Sequence, residues 1–158
     1  MSSRTVVYLT PEGFLALEEE LAFLTTVRRQ EVAARLHSAL SEGEFIENAE
    51  LEEARREQAF LEGRIIEIEE QLRKAEIISK REDSDGIVRL GDTVSVREEG
   101  TDTDEEYLMV GSAEADPRKG RISNESPLGR ALIGKHVGEN AVVRAPDGDI
   151  VFKIISSS

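Results

Sequence analysis

Apolar side chains fall at helical spacing through the first half of the chain and at nearly alternate spacing through the second. Thr10-Pro11-Glu12 reads as a helix start, because Thr can cap free backbone N–H groups and Pro fits the first helical position. Phe14, Leu17, Leu21 and Leu24 then keep a heptad rhythm, which breaks at Arg28 and Glu31 and resumes, shifted, at Val32, Leu36 and Ala39. Such a phase slip alters supercoiling locally without ending a helix. Gly43 suits the left-handed residue that follows a last turn. A second rhythm is cleaner. Leu51, Gln58, Ile65 and Leu72 share one heptad position, and Ala54, Leu61, Ile68 and Ala75 share the other. Two matched patterns joined by a short bend predict an antiparallel helical hairpin. Residues 10–43 would run roughly 50 Å, so the bend is the tip of a long rod.

The stretch "SKREDSDG" at 79–86 has no apolar residue and reads as a linker. Beyond it "VRLGDTVSV", "EEYLMVG", "NAVVRAP" and "DIVFKII" are short apolar runs separated by Gly, Pro and Asp, which predicts an antiparallel sheet. "SPLGRALIG" interrupts them as a short helix, and Pro146-Asp147-Gly148-Asp149 is a turn between strands. The expected fold is α+β: a coiled-coil hairpin over 1–80, then a small antiparallel sheet domain with a short helix over 81–158.

Composition narrows the function. The net charge of −13 is spread over both halves. It opposes independent DNA or RNA binding, which draws on Lys and Arg displacing phosphate counterions, and favours a basic protein surface as partner. With no cysteine, disulfides and Cys-ligated metal centres are excluded. His37 and His136 have no ligand spacing. No leader and no run of ~18 apolar residues is present, so the expectation is a cytoplasmic protein off the membrane. A self-paired hairpin needs no partner strand, and a monomer is expected.

The bend poses the sharpest question. "SEGEFIENAELEEAR", residues 41–55, sets Glu44 and Glu47 around the apolar pair Phe45 and Ile46. Acids near a helix start favour its positive end by ~0.3–1 kcal/mol each, and the apolar pair could fold back as a plug. Alternatively the bend is a working end.

Four segments in order bear on that choice: "YLTPEGFLALEEELAFL", the run from Glu42 to Gln58 that contains the bend, "EGRI" at 62–65, and "SPLGRALIGK" at 126–135. Together they resemble the Gre transcript elongation and cleavage factor family of bacterial RNA polymerase, GreA type, over nearly the whole chain. The resemblance implies an FKBP-like second domain that grips the polymerase and a hairpin that enters its secondary channel. The family's tip pattern Asp-Leu-x-Glu-Asn falls on Glu44, Phe45, Ile46, Glu47 and Asn48. By that resemblance Glu44 and Glu47 are the catalytic acids and share a Mg²⁺ with the polymerase active site, with no cofactor tightly bound. Phe45, Ile46, Asn48 and Arg55 would contact the nascent RNA 3′ end or the polymerase at the tip. Ser126, Pro127, Leu128 and Gly129 would contribute to polymerase binding. The protein would be no enzyme itself, stimulating the polymerase's own endonuclease. Here Glu44 stands for the family's Asp, Leu51 for a usual Tyr and Leu40 for a common Arg. The first of these keeps open a family member that occupies the channel and inhibits or pauses without cleaving. A structural coiled-coil adaptor is the second alternative, and it would not require paired tip acids. A prolyl isomerase is disfavoured, since 81–158 offers only Tyr107 and Phe152 as aromatics for a pocket.

Overall fold

A computed structural model of the protein describes residues 5–41, 48–79 and 85–158. They form two compact units. One holds the described residues up to Gly13 together with those from Ala75 onward; the other holds Phe14–Lys74. Among the described residues no helix is long and apolar enough to cross a membrane.

The second unit is the helical hairpin. Its first limb is α1 (Pro11–Phe23), a π-helical turn over Leu24–Arg28, and α2 (Arg29–Ser41); its second limb is α3 (Ala49–Arg73). Gly63 leaves α3 unbroken. The limbs are antiparallel, as the cross-pairs Glu20–Arg64, Arg29–Glu62 and Arg35–Glu50 show. Val32, Leu61 and Ile65 are buried in the seam, with Leu21 and Leu24 packed against them.

The π-turn explains the slipped rhythm. Val32 lies one residue later than a heptad step from Leu24 would place it. A turn that bonds five residues back takes up one extra residue, and here the Arg29 N–H donates to the Leu24 carbonyl. Both stretches of the seam therefore stay on the face toward α3. The Thr25 and Thr26 hydroxyls donate to the carbonyls of Leu21 and Ala22, at 2.8 and 2.6 Å, supplying partners where the regular ladder is disturbed.

The first unit carries a five-stranded sheet in the order β5-β4-β3-β7-β6, from β3 (Thr93–Glu98), β4 (Asp104–Val110), β5 (Arg121–Ser123), β6 (Asn140–Ala145) and β7 (Gly148–Ser157). Val94, Val96, Met109, Leu132, Ala141 and Ile154 are wholly buried in its core, together with Val88. The short helix α4 (Pro127–Leu132) supplies Leu132 to that core. Pro146 and Asp147 form the β6–β7 turn, with Gly148 at φ 125°.

Two features differ from the sequence expectation. The sheet is not wholly antiparallel: β5 runs parallel to β4, because the chain returns through two 3₁₀ turns, Ser112–Glu114 and Pro117–Lys119, instead of a hairpin. The expected division at residues 80 and 81 set both ends of the helical segment with the hairpin. Instead β1 (Val7–Leu9) pairs parallel with β2 (Ala75–Ile77) and belongs to the sheet unit. Strands of three residues leave little periodicity to read. Leu9 is nonetheless completely buried, and its carbonyl accepts from Ile78 N–H at 2.7 Å.

Candidate functional site

Glu44, Phe45, Ile46 and Glu47 lie outside the described residues, as does Gly43. What the structure defines is the frame on either side of them. Asn48 is the N-cap of α3: its Oδ1 accepts from the Leu51 N–H at 3.1 Å. Its Nδ2 donates to the Ala39 carbonyl at 3.1 Å, near the end of α2. One side chain thus satisfies an orphan donor at the start of one helix and a carbonyl in the last turn of the other. Ala39, Leu51 and Ala54 are buried just behind it. Asn48, expected from resemblance as a tip contact, is also the clamp that sets the ends of the bend. An Asn before an acid-rich helical run is a sequence signal for this capping role.

Arg55 is exposed two turns into α3. Among the described residues of the hairpin it is the one Arg or Lys side chain with no carboxylate partner. Local sequence explains this. Its helical neighbours at three and four residues are Leu51, Gln58 and Ala59, plus Glu52, which pairs with Arg56. A cation left free on an acidic protein is available to an anion from outside.

Farther along the rod the charges are consumed internally. Glu57 reaches across the seam to Arg28 at 2.8 Å and also bonds Arg35. Hydrogen bonds from Arg28 and then Arg35 hold its carboxyl below the ordinary value of 4.5. Arg29 pairs with Glu62 at 2.9 Å, lowering that carboxyl likewise. The sequence alone does not reveal these partners, since residues about thirty apart carry no local signal of contact.

In the sheet unit the "SPLG" motif is largely committed to structure. Ser126 caps α4, its Oγ accepting from Gly129 N–H at 3.0 Å while donating to the Ser123 carbonyl at 2.7 Å. Gly129 is buried, and a Cβ there would meet that same carbonyl oxygen at 1.8 Å. Leu128 packs on the core, and Pro127 is the exposed member of the four. Among the described residues no group of three or more His, Asp or Glu side chains is placed to hold a metal ion.

Known proteins agree with the motifs. Residues 7–77 match the family profile "Transcription elongation factor, N-terminal", and residues 83–158 match "Transcription elongation factor, GreA/GreB, C-term". The chain is 47% identical over 155 residues to transcription elongation factor GreA of Clostridium botulinum (strain Kyoto / Type A2), covering 98% of this chain and 97% of that one. It is 48% identical over 148 residues to the GreA of Chloroflexus aurantiacus, with 94% of each covered. Among solved structures, the GreA factor homolog 1 protein of Thermus thermophilus is 27% identical over 97% of this chain and 99% of its own, with a TM-score of 0.44, a fit too loose to add to the assignment. With both halves matched and nearly half of all positions identical over almost the full length, the chain belongs to the GreA/GreB family of transcription elongation factors.

Proposed function

We propose that this factor inserts its hairpin into the secondary channel of bacterial RNA polymerase and stimulates Mg²⁺-dependent cleavage of the backtracked RNA 3′ end, releasing arrested complexes. The globular unit grips the polymerase, the protein works as a cytoplasmic monomer, and the bond-breaking machinery belongs to the polymerase. The observation that carries this reading is the frame at the bend: Asn48 ties the end of α2 to the start of α3, and Arg55, two turns into α3, has no carboxylate partner among the described residues. A plug at the end of a purely structural rod would have no use for a free cation there.

Glu44 and Glu47 are hard oxygen donors of the kind Mg²⁺ takes, one or two carboxylates with the rest of its shell from water and phosphate. In that setting the ion activates a water and stabilises the leaving oxygen. The two acids would hold it, Arg55 would neutralise an RNA phosphate, and Phe45 with Ile46 would seat the tip against the channel wall or a displaced base. Asn48 joins the end of α2 to the start of α3 on either side of the acids in sequence.

An arrested elongation complex carrying 3′-labelled RNA tests the reading. Wild-type protein should release short 3′ fragments, while free RNA with Mg²⁺ stays intact. Glu44→Gln and Glu47→Gln should each slow single-turnover cleavage by about 10²-fold, the upper range of what disturbing even a metal's outer shell costs, with polymerase affinity kept. Raising Mg²⁺ should partly rescue each single variant. Wild-type rates in both would remove the metal role. Cleavage by Glu44→Asp alone, with none by wild type, would instead establish an inhibitory member of the family.

A further inference from the structure

We infer that Glu114 is a positioning residue that anchors the root of the hairpin. The chain passes between the two units twice, at residues 13–14 and 74–75. Both passages adjoin the paired strands β1 and β2. Helix α1 starts in the sheet unit at Pro11 and runs on to Phe23, so whatever holds its first turn holds the base of the whole first limb.

Glu114 does this from the 3₁₀ turn Ser112–Glu114. One carboxylate oxygen accepts from the Thr10 N–H at 2.7 Å, and the other accepts from the Thr10 hydroxyl. Thr10 Oγ1 in turn accepts from the Gly13 N–H at 3.0 Å, capping the helix. The carboxylate therefore sits against the positive end of α1, where negative charge is favoured. Two glycines make the room. A Cβ on Gly111 would meet the Tyr8 carbonyl oxygen at 2.1 Å, so its absence lets the 3₁₀ turn lie against β1. A Cβ on Gly13 would come 2.1 Å from Glu114 Oε1, so its absence lets the carboxylate reach the helix start. A Gly in the first turn of α1 is otherwise less favourable to the helix than Ala.

The functional half of this inference rests on the cleavage reading; the anchoring half does not. Gly13→Ala is the sharpest variant. It improves helix propensity and obstructs only the end of a flexible side chain, so it should fold while ejecting the carboxylate. Glu114→Ala removes the anchor directly, and Thr10→Ser keeps every bond and should behave as wild type. Amide hydrogen exchange on the full chain should accelerate at least tenfold at Thr10 and Gly13 in Gly13→Ala and Glu114→Ala. In arrested polymerase complexes, the maximal cleavage rate should fall by about tenfold, on the way to the ~10²-fold that 1 Å of misplacement can cost. The half-saturating concentration should stay unchanged, because the polymerase-gripping surface is untouched. Unchanged exchange would overturn the anchor. Faster exchange with an unchanged maximal rate, or a loss confined to half-saturation, would overturn the positioning role. Were wild type not to cleave at all, the functional reading would fail and exchange would still decide the anchoring.

Discussion

The hairpin and the sheet unit are stabilised by different physics. In the sheet unit Val94, Val96, Met109 and Ile154 are wholly buried in a core that Leu132 of α4 and Val88 complete, and the ion pairs Arg89–Asp85 and Arg97–Asp104 lie at the surface. The hairpin has a single seam, in which Val32, Leu51, Leu61, Ile65 and Ile68 are buried while Phe14, Leu17, Leu21, Leu24 and Leu36 stay half-exposed. It adds a lattice of charge across that seam, from Arg28, Arg29, Arg35 and Arg64 to Glu57, Glu62 and Glu20. A two-helix rod has too little interior to exclude water, so polar pairing takes over part of the work that burial does in the sheet. The stability of such a rod follows solution conditions more closely.

The largest test of this contrast compares two isoleucines of equal burial. Ile154→Ala should cost about 2–5 kcal/mol, because the surrounding sheet cannot collapse into the cavity. Ile65→Ala should fall at or below the low end of that range, since a two-helix seam can close or admit water. Urea unfolding followed by the fluorescence of Tyr8 and Tyr107, both in the sheet unit, and by far-ultraviolet dichroism for the helices separates the two. Equal costs would erase the distinction.

Acid should act next, and chiefly on the rod. Glu57 has a folded pKa below 4.5 because Arg28 and Arg35 bond its charged form. A carboxyl held low in the folded state adds stability that is complete above its unfolded pKa and is lost as pH falls through the folded value. Helix stability should therefore drop below about pH 4.5, and Glu57→Gln should flatten that part of the profile. An unaltered profile in the variant would show the bridge to be energetically idle.

The smallest effect should come from Gly63, whose added methyl would meet nothing within 4 Å on exposed α3. Gly63→Ala should stabilise the helices by about 0.5–1 kcal/mol on propensity alone and leave cleavage unchanged. Any loss of cleavage in that variant would mean this face is contacted in the working complex.

How much could be read in advance depends on the distance over which each feature is encoded. Heptad spacing, the Thr10-Pro11 start, the strand runs and the "SPLG" helix are local patterns, and each lies where its residues placed it. The slipped phase between Leu24 and Val32 was visible as well, since one surplus residue in a repeat is a local fact; that a π-turn absorbs it required the packing of both flanks on α3. The pairing of Val7–Leu9 with Ala75–Ile77, the parallel β5, the bridging of Glu57 and the hold of Glu114 on Thr10 belong to the other class. Each joins segments far apart in the chain through hydrogen bonds or charges that leave no periodicity behind. Sequence alone determined the family, the two kinds of architecture and the acid-rich bend, because composition, spacing and motif order suffice for these. Tertiary structure alone decided which charges are spent on the fold, because a partner across a seam exists only once the seam has closed.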